Sequence, residues 1–280
     1  MGAADLARLF ALAAIWGGSF IFIRVSAPVV GPVWMAESRV LLGGLALLAW
    51  HAVTRFDPQW RTHWRFYALI GVANCAVPFS LYGYAGLRLP ASTMAFLNAT
   101  SPMFGLLLAA IFGTERITGA KVAGLLVGAA GVALVARPEG AGSALAAAAC
   151  LAASFSYGLT GLLIRRLGAG APSRGIAVGS QLAAALALAP LLPFWMPSTL
   201  PTPVVAANLL ALGVLASGVA FILYFRLMAD VGATRALTVT FLVPLFAFAW
   251  AALFLGETLT PAIAAGAVLI LAGTLLVTRG

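Results

Sequence analysis

Long apolar segments alternate with short polar ones along the whole chain of 280 residues. The polar stretches lie near residues 26–32, 54–65, 87–91, 113–119, 137–143, 165–174, 195–203, 228–235 and 255–261, and they leave ten apolar segments. Each segment is about twenty residues long, the length that an α-helix needs to cross a bilayer. Segments such as VAGLLVGAAGVALVA lack the two-residue alternation of a β-barrel strand. The pattern therefore predicts an all-α integral membrane protein with ten transmembrane helices.

The second half of the chain repeats the first. From Gly71 to Arg137, a shift of 142 positions needs no gap and gives identity at about a third of the positions. Matches of Ala or Leu mean little in such a chain, but rarer residue types recur too: Tyr82, Pro102, Glu115 and Thr118 return as Tyr224, Pro244, Glu257 and Thr260. The first segments match at a shift of 141, where WGGSFIFIR lies over YGLTGLLIR. This predicts two five-helix halves, 1–138 and 143–280.

The odd number of helices in each half has a topological consequence. After five crossings the chain is on the opposite side of the membrane, so the second half must be inserted upside down relative to the first. Inverted repeats of this kind are a recurring construction of secondary transporters, whose substrate site lies near the middle of the bilayer between the repeats. The repeat thus predicts two inverted halves around a central cavity.

Composition and charge support the membrane interpretation. Hydrophobic residues make up 63% of the chain and charged residues only 8%, whereas a soluble domain is about one quarter charged. The net charge of +9 could suggest a nucleic-acid partner, but the cations cluster by side. With the amino terminus in the cytoplasm, twelve lie in or beside cytoplasmic segments: Arg8, Arg55, Arg61, Arg65, Arg116, Lys121, Arg165, Arg166, Arg174, Arg226, Arg235 and Arg279. This bias predicts cytoplasmic termini and anionic lipid, not nucleic acid, as the partner of the positive charge.

Two prolines lie near the middle of the fourth and ninth predicted helices. Pro102 and Pro244 cannot donate the usual backbone hydrogen bond, which frees the carbonyls of Asn98 and Thr240. A free carbonyl in lipid must face a neighbouring helix or a wet cavity. We predict helix hinges at both prolines, with Asn98 and Thr240 at the substrate path. The alternative is a packed kink whose carbonyl is satisfied by a nearby side chain.

Aromatic residues at mid-depth are the main candidates for substrate binding. Tyr82 corresponds to Tyr224 and Trp16 to Tyr157 under the two shifts. A buried Tyr hydroxyl needs a partner or water, so these rings suit a cavity between the halves. The alternative for each is that it merely fills the core of the bundle.

Two charges lie within the second predicted helix. Charge inside a membrane is costly and indicates function by default. Arg39 could bind a substrate carboxylate, and we include it among the substrate-binding candidates. Glu37 could carry a proton, although a position near the external surface, solvated by water, is the interpretation favoured by its place in the segment.

Other features have structural explanations. Gly124, Gly128 and Gly131 in the fifth helix allow close helix approach, more naturally within one chain than in a dimer. Glu115 and Glu257 precede the first turns of the fifth and tenth helices, where the helix dipole favours an anion.

With these features together, the chain resembles the drug/metabolite transporter superfamily, in its EamA-domain branch. The resemblance rests on WGGSF in the first span and on the doubled "P…GTE" and "P…GET" pattern, and it covers essentially the whole chain. Within that branch the chain is similar to the YddG-type amino-acid exporters, some of which export aromatic amino acids. The resemblance implies a basket of helices 1–4 and 6–9 around the cavity, with helices 5 and 10 outside. It implies a cavity lined by Trp16, Tyr82, Asn98, Tyr157, Tyr224 and Thr240.

The sequence therefore predicts an exporter of amino acids and related metabolites in a bacterial inner membrane, working by alternating access as a monomer or dimer. Proton-coupled efflux of drugs or other metabolites is the first alternative. The first helix lacks the deep glutamate of compact multidrug relatives, which lowers that option. An intramembrane enzyme is less consistent with the sequence, because its acids and histidines are scattered without catalytic or metal-ligand spacing. We expect no cofactor and no metal.

Overall fold

The computed structural model describes residues 2–136, 141–197, 199–236 and 238–279, and these residues form helices and turns without a β-strand. Arg137 and the side chain of Arg279, both used in the sequence comparison, lie outside the described part. The predicted boundary between residues 138 and 143 also falls largely outside it, so the division at that point stays a prediction.

The described residues of the first half form five helices: α1 Ala3–Val30, α2 Pro32–Thr54, α3 Trp60–Gly86, α4 Ala91–Ile111 and α5 Gly119–Val135. Those of the second half form five more: α6 Ala141–Leu167, α7 Ser173–Trp195, α8 Pro203–Val231, α9 with a short first segment Ala233–Ala236 and a long one Val239–Leu255, and α10 Pro261–Arg279. Eight are long and apolar enough to span a membrane, and α5 and Val239–Leu255 are shorter apolar helices. The prediction of ten helices is confirmed.

The packing of α5 against α10 shows that the halves are inverted. A Cβ added to Gly124 would lie 2.8 Å from the carbonyl oxygen of Gly273, and one added to Gly131 would lie 2.6 Å from that of Gly266. The start of α5 thus meets the end of α10, and the end of α5 meets the start of α10, so the two helices are antiparallel. Because α5 and α10 hold the same place in their halves, the halves have opposite orientation. The small residues are used within the chain, as expected.

The other helices interlock across the two halves in repeat-related pairs. Helix α1 packs on α9 as α6 packs on α4, and α2 packs on α8 as α7 packs on α3. Two glycines mark the first pair of contacts. A Cβ on Gly17 would lie 2.7 Å from the backbone nitrogen of Ala247, and one on Gly158 would lie 2.6 Å from that of Gly105. The centre of the molecule is therefore enclosed by helices of both halves.

The repeated glutamates occupy different environments. Glu115 accepts a hydrogen bond from the Lys121 ammonium at 2.8 Å, next to the first turn of α5 as expected. The expectation for Glu257 was wrong, because its carboxylate binds the first turn of α4, at Ala91 and Ser92. Its partner is distant in sequence, and only the approach of α4 to the end of α9 brings the groups together.

Candidate functional site

A cavity of about 370 Å³ lies at the centre of the molecule, between the two halves. Its described lining comes from eight helices, α1–α4, α6 and α8–α10, and the walls are mainly apolar and aromatic. All seven predicted substrate-binding residues lie on it: Trp16, Arg39, Tyr82, Asn98, Tyr157, Tyr224 and Thr240. Ligand sites of this size and character are typical for small molecules.

Two aromatic pairs, related by the repeat, form part of the wall. The rings of Trp16 and Tyr224 lie 5.5 Å apart between centroids. The rings of Tyr82 and Tyr157 lie 6.3 Å apart and are stacked, with 23° between their planes. Each pair joins one half to the other, and both spacings are within the range of favourable aromatic contact. Repeat symmetry thus gives the cavity two aromatic surfaces.

One ring of each pair has a polar atom that forms a hydrogen bond. The Tyr82 hydroxyl donates to Asn98 Oδ1 at 2.8 Å and lies 3.4 Å from the hydroxyl of Ser154. The Trp16 indole N–H donates to the carbonyl oxygen of Ala216 at 3.1 Å. These bonds fix the ring orientations, because a ring with a bonded polar end has fewer rotamers available.

Helix α4 is broken at the cavity. Its segments Ala91–Asn98 and Ser101–Ile111 are separated by a turn at Ala99–Thr100, and Pro102 stands in the first turn of the second segment. The carbonyl oxygen of Asn98, which Pro102 cannot bond, accepts a hydrogen bond from the Ser101 hydroxyl at 2.7 Å. A nearby side chain therefore satisfies the carbonyl freed by Pro102, as in the alternative interpretation of a packed kink. Asn98 also lies on the cavity wall.

The other carbonyls at the break are also satisfied by hydroxyl groups. The Leu97 oxygen accepts from Thr100 at 2.6 Å and from Ser154 at 3.1 Å. The Ala99 oxygen accepts from Thr274 of α10 at 2.9 Å. Irregular backbone at membrane depth persists only where such partners or a cavity satisfy it. Helices α6 and α10 therefore support the break from both sides.

Helix α9 differs from α4 at the related place. Its long segment Val239–Leu255 runs through Pro244 without interruption, and Pro244 is buried. Pro102 lines the cavity, whereas Pro244 is not among the described lining residues. Repeat-related prolines thus stand in unlike conformations, and a hinge role for either stays a prediction.

Arg39 brings a positive charge to the cavity wall. Only 8% of the residue is exposed. Its Nε donates to the Ser217 hydroxyl at 3.0 Å, and its guanidinium carbon lies 3.8 Å from the centre of the Phe79 ring. The hydrogen bond and the cation–π contact hold the guanidinium in place at the cavity.

The expectation that water solvates Glu37 was wrong. The residue is buried, with 6% of its surface exposed, and its Oε2 has no hydrogen-bond partner among the described residues. It is not among the described lining residues of the cavity. Its position near the start of α2 suggested the surface, but neighbouring helices cover that face of α2.

Sequence reasoning missed several lining residues. Phe79 and Phe221 were visible as repeat matches, but apolar rings did not stand out in an apolar chain. Asn74 lies in a π-helical segment of α3, Val72–Ala76, for which the sequence carries no clear signal. Thr274 reaches the cavity from α10, which the resemblance places outside.

The described residues include no group of three or more His, Cys, Asp or Glu side chains that could hold a metal ion.

Comparison with known proteins relates the chain to a family of membrane proteins. The model of the EamA-like transporter family matches residues 6–137 and again residues 144–279. The chain is 30% identical, over 94% of its length and 90% of the relative, to a probable terminal-alkyne amino-acid exporter of Streptantibioticus cattleyicolor.

Other relatives are more distant. The uncharacterized inner membrane transporter YedA of Escherichia coli K12 is 31% identical over 44% of this chain and 40% of its own length. A solved crystal structure, 20% identical, matches with a TM-score of 0.69 over 99% of this chain and 96% of that one. This last similarity concerns the fold.

Proposed function

The chain belongs to the EamA-like transporter family, and on that premise we propose that it exports amino acids, including aromatic ones, by alternating access. The protein is a multi-pass membrane protein of a transporter family, and a relative that is 30% identical to it is a probable terminal-alkyne amino-acid exporter. The proposal adds the aromatic substrates, the mechanism and the binding residues. It needs no covalent chemistry and no cofactor, so we propose that the protein is a transporter and not an enzyme.

The central cavity with its two aromatic pairs carries this proposal. Trp16 with Tyr224, and Tyr82 with Tyr157, offer flat apolar surfaces on which the side chain of an aromatic or aliphatic amino acid can pack. Asn98 and Thr240 add neutral polar groups to the wall, and such groups can orient an amino acid without demanding one side chain. The volume of about 370 Å³ lies within the range of about 300–1,000 Å³ that small-molecule sites occupy.

Inverted halves support alternating access. Two similar halves of opposite orientation can exchange conformations, so states open to either side have similar free energies. The unlike conformations of α4 and α9 are consistent with one such state, in which the halves do not adopt the same shape. We place the transporter in a bacterial inner membrane as a monomer, with both termini in the cytoplasm.

Proton-coupled efflux of drugs or other metabolites is the second candidate, and Glu37 favours it. This carboxyl group is buried in α2 with one oxygen unpartnered. A buried carboxyl group can take up and release a proton when its surroundings change between two states. A pH gradient that drives transport, and loses its effect in Glu37→Gln, would favour this candidate.

Transport in liposomes tests the export proposal. Purified protein should move labelled phenylalanine down its gradient and exchange it for unlabelled phenylalanine. Tyr82→Ala should lower the rate about tenfold, because the substrate loses one aromatic surface. Tyr84→Ala is the matched control, since Tyr84 lies on the same helix but is not among the described lining residues. Well-folded protein that moves no amino acid would contradict the proposal, and equal losses in both variants would contradict the role of Tyr82.

A further inference from the structure

The Arg39 guanidinium has no anionic partner among the described residues. Its Nε–H bonds Ser217 Oγ, and its terminal nitrogens have no hydrogen bond to any described residue. The four ion pairs of the described residues all involve other cations. Glu37 lies two positions away on the same helix, but it forms no ion pair with Arg39. The charge at the cavity is therefore uncompensated in the described part of the chain.

A buried cation without a partner is costly. Removing a guanidinium from water carries a desolvation penalty, which an anion at hydrogen-bond distance offsets. Phe79 and Ser217 contribute a ring face and one oxygen, and neither carries charge. A guanidinium also binds a carboxylate through two parallel N–H groups. A ligand with a carboxylate would supply what the site lacks.

The ammonium group of an amino acid has no matching partner. The described lining residues include no Asp or Glu, so an ammonium group would meet only neutral oxygens and aromatic faces. The cavity thus recognises the two charged ends of an amino acid unequally.

Resting on the export function proposed above, we infer that Arg39 binds the substrate carboxylate and makes it the required group. The substrate class is then carboxylates with an apolar or aromatic body, and the α-ammonium group is dispensable. Amides, esters and decarboxylated amines of the same amino acids are excluded, because they leave the guanidinium unpaired.

Ligand-induced thermal stabilisation of the purified protein tests this inference. Four probes share one ring and differ in charge: phenylalanine, 3-phenylpropionate without the amino group, phenylalaninamide without the carboxylate, and phenethylamine. We expect the first two to bind. The two cations should bind at least about tenfold more weakly, as expected for the loss of a charge-assisted hydrogen bond.

Variants of Arg39 localise the effect. Arg39→Gln should abolish the difference between 3-phenylpropionate and phenylalaninamide, and Arg39→Lys should restore part of it. Arg88→Gln is the control, since Arg88 is an exposed cation that is not among the described lining residues. If Arg39→Gln does not fold, the four probes with the wild-type protein and Arg39→Lys decide the question.

The outcomes separate the inference from the proposed function. Binding of phenylalaninamide as tight as that of phenylalanine would overturn the inference and leave amino-acid export standing. Binding of 3-phenylpropionate without phenylalanine would support the carboxylate site and overturn amino-acid export. Failure of all four probes to bind would overturn both.

A different observation, the contact between the end of α9 and the start of α4, carries a second inference. One Glu257 oxygen accepts from the backbone N–H of Ala91 at 2.7 Å. The other accepts from the Ser92 N–H at 3.1 Å and from the Ser92 hydroxyl at 2.5 Å. These donors belong to the first turn of α4, whose N–H groups have no partner within the helix. A carboxylate is also stabilised there by the helix dipole.

Among the described residues, the repeat partner of Glu257 has other hydrogen-bond partners. Glu115, the repeat partner of Glu257, bonds Lys121 and lies 3.9 Å from Arg165. It has no hydrogen bond with α9 among the described residues. The two ends of the α4–α9 pair are thus held differently in this structure.

We infer that Glu257 is a latch that closes the cavity at the face where α9 ends. Opening at that face must separate the end of α9 from the start of α4, and so must break three hydrogen bonds. Because these three hydrogen bonds exist only in the closed state, they shift the equilibrium between the two states toward the closed one.

Thiol labelling tests the latch without any substrate. Ser19→Cys on the cavity wall, with Cys75 and Cys150 replaced by Ser, is exposed in liposomes to an impermeant maleimide from one face at a time. Glu257→Ala should raise labelling from the face where α9 ends about tenfold. Ser92→Ala, which removes one bond of three, should give a smaller rise.

Glu115→Ala is the matched control, because it removes the repeat-related carboxylate without touching α4's first turn. It should not raise labelling from that face. Equal labelling in Glu257→Ala and in the parent protein, or an equal rise in Glu115→Ala, would overturn the latch. The readout does not depend on amino-acid export, so the latch can stand if that function fails.

Discussion

Gly17 and Gly158 show how single residues position the cavity wall. Each lies where the backbone of a partner helix of the other half comes within van der Waals contact, Gly17 against Ala247 and Gly158 against Gly105. Both glycines are next to residues that form the aromatic pairs, Trp16 and Tyr157. The close approach therefore sets where these rings lie. The sequence showed both glycines within matching motifs, but the contact itself required the positions of α4 and α9.

Replacing Gly17 by Ala should destabilise the protein, whereas the same change at Gly18 should not. The new methyl group of Gly17→Ala would lie 2.7 Å from a backbone atom of α9, while that of Gly18→Ala has no atom closer than 3.8 Å. Overpacking costs about 1–3 kcal/mol, and the higher helix propensity of Ala returns up to about 1 kcal/mol.

Thermal unfolding of both variants in detergent measures the difference. Gly17→Ala should unfold at a lower temperature than the wild type, and Gly18→Ala at the same or a slightly higher temperature. Equal unfolding temperatures for the two variants would contradict the close packing of α1 on α9.

Helices α4 and α9 show how one sequence pattern can give two conformations. Both contain a proline at the related position, and from the sequence we predicted two alike hinges. The structure interrupts α4 at Ala99–Thr100, next to its proline. In α9 the short segment Ala233–Ala236 comes first, and the long segment Val239–Leu255 is continuous through Pro244. At α4 the freed oxygens find hydroxyl donors, some of them on α6 and α10, and these donors are distant in sequence. A proline in the sequence shows that one backbone hydrogen bond of the helix is lost. It does not show which distant side chains will satisfy the freed carbonyl oxygens.

Pro102→Ala should therefore change access to the cavity more than Pro244→Ala. The alanine restores a backbone N–H that can bond the Asn98 oxygen in place of the Ser101 hydroxyl, which favours a continuous α4. Labelling of Ser19→Cys from the two faces measures the balance of states. A shift that is equal for the two variants, or larger for Pro244→Ala, would contradict this assignment.

At the scale of the whole molecule, the opposite orientation of the two halves is the feature of the topology on which the proposed alternating access depends. Antiparallel contact between α5 and α10, and repeat-related contacts among the other helices, make the bundle nearly two-fold symmetric. Departures from symmetry include the conformations of α4 and α9 and the partners of their glutamates. These are the elements whose exchange of conformation would open the cavity to the other side.

An even number of crossings places both termini on one face, and the distribution of cations predicts that this face is cytoplasmic. Cysteines added at each end should react with an impermeant reagent in inside-out vesicles and not in right-side-out ones. Ala169→Cys, between α6 and α7, should behave like the termini, and Thr199→Cys, between α7 and α8, should behave oppositely. Termini on different faces would contradict the helix count, while both outside would reverse only the orientation.

The amino-acid sequence by itself determined the ten helices, the repeat and its register, because a helix that crosses a bilayer needs about twenty apolar residues. It also determined the inversion, because a half with an odd number of crossings leaves the next half in the opposite orientation. It also singled out seven of the residues that the tertiary structure brings to the cavity. Only the tertiary structure decided that Trp16 faces Tyr224, that Glu257 binds the start of α4 and that Glu37 is buried. Such contacts join residues far apart in the chain and depend on how helices pack. The sequences of the two halves are similar to each other, so the sequence alone does not indicate which half adopts which conformation.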